Sequence, residues 1–148
     1  MIRPARPEDI DAVATIAKAA YQPYVKAIGQ PPAPMIADFA ADRAQGNLWV
    51  YDSGQIDGYI VMKQSGKTGF IENVAVAPRT HGRGLGRELL AFAETRCVAR
   101  GADRMILYTN IHMTPNLTLY PYLGYHETGR RTENGFERVY FEKRLAQR

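Results

Sequence analysis

Residues 74–90 of the chain read VAVAPRTHGRGLGRELL. An alternating apolar run ends at Pro78, glycines follow at every second position as Gly82, Gly84 and Gly86, and an amphipathic pattern begins after them. This order predicts a strand, a glycine-rich turn and a helix. Backbone N–H groups in such a turn, together with the helix N-terminus, favour binding of an anionic phosphate. We therefore expect a phosphorylated molecule to bind at this turn.

The bulk properties predict one globular domain over residues 1–148. The 148 residues are 45% hydrophobic and 23% charged, an ordinary globular composition. The single cysteine, Cys97, excludes an intramolecular disulfide and a cysteine-rich metal site. His81, His112 and His126 lack the spacing of metal ligands, so we predict no metal.

Charge and hydropathy narrow the choice of partners. The N-terminal residues contain no apolar signal core, and no apolar run approaches the ~20 residues of a membrane span. We therefore expect a cytoplasmic protein with no membrane partner. The net charge is +4, from 19 basic and 15 acidic residues, but the basic residues are spread out. No basic block with interleaved aromatic residues stands out, so we predict no nucleic-acid partner.

The remaining pattern predicts an α/β fold with the order β, α, α, β, β, β, α, β, α, β, β. A helix begins at Pro7, a second covers residues 35–46, a third ends at Gly101 and a fourth covers residues 114–123. Strands are predicted over residues 2–5, 48–51, 56–62, 70–77, 105–109, 125–131 and 136–145. We expect these strands to form a mixed sheet covered by the helices.

Two common phosphate-binding motifs do not fit the glycine turn. A P-loop needs a lysine and a hydroxyl residue after its last glycine, and Arg87 and Glu88 stand there instead. A dinucleotide-binding fingerprint needs its last glycine at the position of Arg87. Both nucleotide motifs are therefore excluded.

Residues 74–86 resemble the acetyl-coenzyme A motif of the GNAT-superfamily N-acetyltransferases. That motif is a V-x-V-x-P strand end followed by Q/R-x-x-G-x-G/A. The chain departs from it at His81, where the family usually has glutamine or arginine, and a permanent positive charge is lost there. The matching residues are Val74, Val76, Pro78, Gly84 and Gly86.

A second stretch, residues 116–125, is similar to the family's other signature, N…L-Y-x-x-x-G-F/Y. Asn116, Leu119, Tyr120, Gly124 and Tyr125 carry this similarity. The two motifs occur in the family's order, and the predicted strand order matches along nearly the whole chain.

The resemblance implies a single-domain α/β fold with a mixed, mostly antiparallel sheet flanked by helices. It implies that the central strand pair, containing residues 74–76 and 105–109, splays apart. Acetyl-CoA would be the co-substrate, with its pyrophosphate on the N–H groups of the turn and its pantetheine arm along the strand. Arg79 and Arg83 are candidates for the other phosphates, or are solvated charges. The implied cofactor-binding residues are Val74, Ala75, Val76, His81, Gly82, Arg83, Gly84, Leu85, Gly86, Arg87 and Asn116.

Glu72 is the candidate catalytic base. It lies two residues before Val74, so strand alternation predicts that it shares a face with Val74 and Val76, while Asn73 faces the other way. A carboxylate there could accept the proton of an attacking amine. The alternative is a strand carboxylate that pairs with a basic neighbour.

Tyr120 is the candidate catalytic acid. It matches the family's tyrosine that reaches the thioester sulfur, and its hydroxyl can donate at neutral pH. The alternative is a core aromatic residue at helical spacing from Leu117 and Leu123. Pro121 removes a backbone donor and is expected to distort the helix.

The resemblance favours an acetyl-CoA-dependent N-acetyltransferase that moves an acetyl group to a primary amine by direct attack in a ternary complex. The alternative is a non-catalytic coenzyme A binding or sensing domain. The acceptor is open between a small molecule and a peptide amine, and monomer and homodimer are both open. Tyr21, Tyr24, Asn110 and His112 are weaker candidates for contacts with the acceptor.

Overall fold

The computed structural model of the chain describes residues 1–145. These residues form one seven-stranded sheet with the order β1-β2-β3-β4-β5-β7-β6. The strands are β1 (Ile2–Pro4), β2 (Leu48–Asp52), β3 (Ile56–Ser65), β4 (Thr68–Val76), β5 (Arg104–Asn110), β6 (His126–Glu133) and β7 (Phe136–Arg144). The helices are α1 (Ile10–Tyr21), α2 (Val25–Ile28), α3 (Phe39–Ala44), α4 (Leu85–Ala99) and α5 (Thr114–Tyr122).

The sheet is mixed because one pair of strands is parallel. β4 and β5 run parallel, and every other neighbouring pair is antiparallel. Parallel neighbours need a long crossover, which α4 supplies between them, whereas hairpin turns join β2 to β3 and β6 to β7. The predicted mixed, mostly antiparallel sheet flanked by helices is confirmed.

The sheet is buried on both faces. Leu89 and Leu90 of α4 pack against Ile60 of β3 on one face. On the other face, Val13 of α1 belongs to the same cluster as Tyr59 of β3. Alternate residues of β3 thus enter two different cores, because successive side chains of a strand point to opposite faces.

One predicted helix differs from the structure. Residues 35–46 do not form a single helix: a short 3-10 segment, Ala33–Ile36, precedes α3. Asp38 separates the two, because its carboxylate accepts a hydrogen bond from the backbone N–H of Ala41 at 3.0 Å and so caps α3.

Pro121 lies inside α5, which continues to Tyr122.

No helix within residues 1–145 has the length and apolar content needed to cross a membrane.

The parallel pair separates partway along its length. Backbone pairing between β4 and β5 runs from Thr68 opposite Arg104 to Ile71 opposite Leu107 and stops there. β4 continues to Val76 and β5 to Asn110, so their C-terminal halves diverge. The splayed central pair implied by the resemblance is present, and it opens a gap in the middle of the sheet.

Candidate active site

The gap between β4 and β5 forms the floor of a cleft of about 240 Å³. The ends of both strands, the start of α4, part of α5, the end of α1 and the loop of residues 32–34 line it. Of the predicted site residues, those lining the cleft are Glu72, Val74, Ala75, Val76, Gly86, Asn116 and Tyr120. The other predicted residues, His81, Gly82, Arg83, Gly84, Leu85 and Arg87, form the turn and first helical positions beside it.

The three glycines of the turn have two different roles. Gly82 and Gly84 have φ angles of +84° and +76°, in the left-handed region that favours glycine. Gly86 lies inside α4 and has no such angle. A Cβ atom at Gly86 would meet nothing within 4 Å. Glycine weakens a helix by up to about 1 kcal/mol relative to alanine, so helix stability does not favour it at this position. Its missing side chain leaves the start of α4 open to an approaching ligand.

The start of α4 presents unpaired donors to this open space. The backbone N–H of Glu88 donates to the carbonyl of Gly84 at 3.1 Å. The N–H groups of Leu85, Gly86 and Arg87 find no acceptor among residues 1–145, and no side chain caps this helix. Three free donors and the positive end of the helix dipole form an anion site.

Two arginines near the turn make different contacts. Arg79 pairs with the buried carboxylate of Asp57 at 2.5 Å and donates to the carbonyl of Ile56 at 3.0 Å. Arg79 is therefore engaged with β3, although its side chain remains 44% exposed. Arg87 lies over the ring of Tyr122, 5.0 Å from its centroid.

A β-bulge shifts the faces of β4 at Glu72. Val61 of β3 lies opposite Asn73 and Met62 lies opposite Ile71, so Glu72 is an extra residue. Ile71 and Val74 consequently pack against the same core although two residues separate them. The prediction that Glu72 shares a face with Val74 is therefore wrong, because simple alternation does not hold across a bulge.

Glu72 lies instead on the α1 side of the sheet. Its carboxylate pairs with the Nζ atom of Lys63 at 3.0 Å, and both side chains are more than 40% exposed. Glu72 thus makes the contact expected under the alternative, a strand carboxylate that pairs with a basic neighbour. Glu72 also lines the cleft.

Asn73 was not singled out from the sequence, yet it joins three parts of the site. Its Oδ1 atom accepts from the hydroxyls of Tyr59 at 2.8 Å and Tyr21 at 3.1 Å. Its Nδ2 atom donates to the carbonyl of Pro34 at 3.0 Å. Burial raises the pKa of both tyrosines well above the ordinary value, which keeps the hydroxyls protonated as donors. Asn73 thereby ties α1 and the loop of residues 32–34 to β4.

Tyr120 packs as a core aromatic residue and also borders the cleft. Its ring packs against Tyr125 and Phe141, with centroids 6.0 and 5.6 Å away. Its hydroxyl forms no hydrogen bond within residues 1–145, although the side chain lines the cleft. Burial raises the pKa of Tyr120 to about 12, so the phenol is neutral at physiological pH and can donate.

Asn116 fixes the other wall of the cleft. Its Nδ2 atom donates to Thr109 Oγ1 at 3.0 Å, which ties the first turn of α5 to the end of β5. The same side chain lines the cleft, close to the diverging strands.

The end of the cleft beyond Glu72 is aromatic. Tyr21, Tyr24 and Asn110, three of the four weaker acceptor candidates, line the cleft, whereas His112 does not. Tyr108 and Arg138 line it as well. Sequence reasoning missed this pair, because only the pairing of β5 with β7 brings Arg138 beside Asn110. Within residues 1–145, no group of three or more His, Cys, Asp or Glu side chains could hold a metal ion.

The model of the acetyltransferase (GNAT) family matches residues 11–125. A search of curated proteins found no match. Nourseothricin acetyltransferase superposes with a TM-score of 0.61 at 25% identity, over 67% of this chain and 65% of that protein, which is just under two thirds of its length.

Two further solved structures superpose over nearly their whole length. The ribosomal-protein-S18-alanine N-acetyltransferase from Escherichia coli has a TM-score of 0.78 at 19% identity, covering 100% of this chain and 95% of that one. The PaiA N-acetyltransferase from Thermoplasma acidophilum, in complex with coenzyme A, has a TM-score of 0.77 at 14% identity, covering 98% of each chain. At these identities the likeness shows the fold.

Proposed function

Because the chain belongs to the acetyltransferase (GNAT) family, we propose that it transfers an acetyl group from acetyl-CoA to a primary amine by direct attack in a ternary complex. One observation carries this proposal. A single cleft, opened by the parting of β4 and β5, connects an anion site at Gly86 with the hydroxyl of Tyr120 and the carboxylate of Glu72. A phosphorylated donor and an amine could therefore meet inside it.

The residues of the turn fit coenzyme A. The free N–H groups of Leu85, Gly86 and Arg87 would hold the pyrophosphate, and His81, Gly82, Arg83 and Gly84 would surround it. Residues 74–76 of β4 have no strand partner on the β5 side, so their backbone would pair with the pantetheine amides. Asn116 would border the same arm from α5.

Attack requires a neutral amine. A lysine-like amine with a pKa near 10.4 is mostly protonated at pH 7, which costs about 4.6 kcal/mol, whereas an α-amino group with a pKa near 8 needs much less help. Glu72 would accept the proton, directly or through a water molecule. Glu72 suits this role because it is the extra residue of the β4 bulge and lines the cleft.

In the proposed transfer, Glu72 and Tyr120 account for both protons that move. A bond forms between the amine nitrogen and the acetyl carbon, and the bond from that carbon to sulfur breaks. The amine loses one proton toward Glu72, and the departing thiolate gains one. The hydroxyl of Tyr120 would donate to the sulfur as charge develops there, since its phenol stays protonated in the cleft.

Replacement Gly86→Glu should raise the Kd for coenzyme A by roughly 100-fold or more, about 2.8 kcal/mol. The new carboxylate would enter the space where phosphate must bind and would repel it. The melting temperature should not fall, because glutamate favours a helix more than glycine does and suits the first turn. Calorimetric titration with coenzyme A and thermal unfolding measure the two effects.

Gly129→Glu is the matched control, since a Cβ at Gly129 also meets nothing within 4 Å but lies on β6, away from the cleft. Undiminished affinity of the Gly86 variant for coenzyme A would contradict the proposed phosphate site.

Replacement Tyr120→Phe should lower kcat by roughly 10²–10⁴-fold while leaving the affinity for coenzyme A nearly unchanged. The phenylalanine ring preserves the packing against Tyr125 and Phe141 and removes only the hydroxyl. Thiol release from acetyl-CoA, measured at saturating amine, provides the rate. Tyr122→Phe is the control, because Tyr122 lies on the same helix but is 72% exposed. An unchanged rate in the Tyr120 variant would remove this hydroxyl from the mechanism.

Replacement Glu72→Gln should lower kcat/KM at pH 7 by roughly 10²-fold. The deficit should shrink as the pH rises toward the pKa of the acceptor amine, because the amine then arrives already neutral. The pH profile of thiol release for the variant and the wild type provides the measurement. Lys63→Gln removes the ion-pair partner and keeps the carboxylate, so it should remain active. A deficit that does not change with pH would assign Glu72 a structural role instead.

A further inference from the structure

We propose that the acceptor is a small amino carboxylate whose anionic group binds the guanidinium of Arg138 while its amine faces Glu72. This inference rests on the proposed function and specifies its substrate class. Among the described residues that line the cleft, Glu72 and Arg138 are the two that carry a formal charge. A substrate with one positive and one negative group is complementary to this pair.

Arg138 is mostly buried but only weakly engaged by the described part of the chain. Its side chain is 13% exposed, and its one ionic contact within residues 1–145, to Glu133 Oε1, is 3.5 Å long. This contact is at the long limit of a hydrogen bond, and Glu133 also accepts from the hydroxyl of Tyr140. Burying a cation is costly unless its donors are satisfied.

Arg3 shows what a satisfied guanidinium looks like in the same protein. Its side chain is 11% exposed, nearly the same as that of Arg138. It donates to Asp9 at 2.8 and 3.2 Å and to Asp52 at 2.9 Å. Arg138 has only its long contact with Glu133 among residues 1–145, so donors remain for a group outside the chain, and a carboxylate matches the fork of a guanidinium.

Two aromatic rings orient Arg138 toward the cleft. Its guanidinium carbon is 4.4 Å from the centroid of the Tyr108 ring and 5.4 Å from that of Phe136. Contacts with ring faces restrict the guanidinium without consuming its N–H donors. Tyr108 and Phe136 both line the cleft, so the anchored cation borders the space open to the acceptor.

The two charges of the cleft act on the same side chain. Burial raises the pKa of Tyr108, Arg138 counteracts this rise, and Glu72 adds to it. Glu133 also adds to it. The backbone places both residues where the two strands part: Glu72 follows Ile71, the last residue of β4 paired with β5, and Arg138 lies opposite Asn110 at the end of β5. One small molecule could present its amine to Glu72 and its carboxylate to Arg138.

The surroundings of this end favour an apolar body for the acceptor. Tyr21, Tyr24 and Phe136, together with Pro32 and Pro34, contribute rings and apolar surface to the cleft. The chemical class that fits is an α-amino acid with an apolar side chain.

The test compares apolar amino acids with their uncharged carboxamides. Leucine, methionine and phenylalanine, each beside its own carboxamide, would be assayed for thiol release from acetyl-CoA. In the wild type, kcat/KM should be at least about 10-fold higher for the acids, because hydrogen bonds to a buried charge are the strong ones. Arg138→Gln should remove this preference by lowering the values for the acids about 10-fold or more, the same factor by which the wild type prefers them, with the carboxamides nearly unchanged. Equal rates for acid and carboxamide in the wild type, or equal losses for both in the variant, would overturn the inference.

Arg131→Gln is the control, since Arg131 also lies over a ring, 4.8 Å from the centroid of Tyr140, but does not line the cleft. It should keep the preference for acids. If no amine were acetylated, the proposed function would fail, and binding to the protein saturated with coenzyme A would then decide the inference. That binding would be measured by calorimetry. Binding of the N-acetyl amino acid but not of its carboxamide, together with loss of this binding in Arg138→Gln, would support the inference. Equal binding of the two compounds, or no binding of either, would overturn it.

Discussion

The separation of two parallel strands opens the cleft that holds the candidate active site. β4 and β5 stop pairing after Ile71 and Leu107, which leaves backbone groups in the middle of the sheet without a strand partner. Buried backbone groups need partners, so an opening of this kind is costly unless a ligand or other side chains supply them. Asn73 supplies part of the support, because its amide joins β4 to Tyr21, Tyr59 and Pro34 at the point of separation.

The cleft has two chemically different ends. At one end, free N–H groups at the start of α4 and the uncovered face of Gly86 fit the phosphates of coenzyme A. At the other end, tyrosine rings surround Glu72 and Arg138. Tyr120 lies in the same cleft with a protonated hydroxyl.

The parts predictable from the sequence are those that local patterns specify. Alternating glycines after an apolar strand indicate a phosphate turn, and hydrophobic periodicity identifies the strands and the long helix α4. The face of Glu72 was not predictable in this way, because a bulge inserts one residue into a pattern that looks regular. Arg138 and Tyr108 were missed for a different reason. Their proximity depends on the pairing of β5 with β7, which joins residues far apart in the chain.

The central claim, direct transfer within one cleft, is tested most directly by initial rates of thiol release at varied concentrations of acetyl-CoA and amine. Direct attack requires both substrates to be bound together, so the double-reciprocal lines should intersect. Parallel lines accompanied by an acetylated form of the protein would contradict direct attack. Binding of coenzyme A with no thiol release for any amine in a broad panel would instead show a binding domain without catalysis.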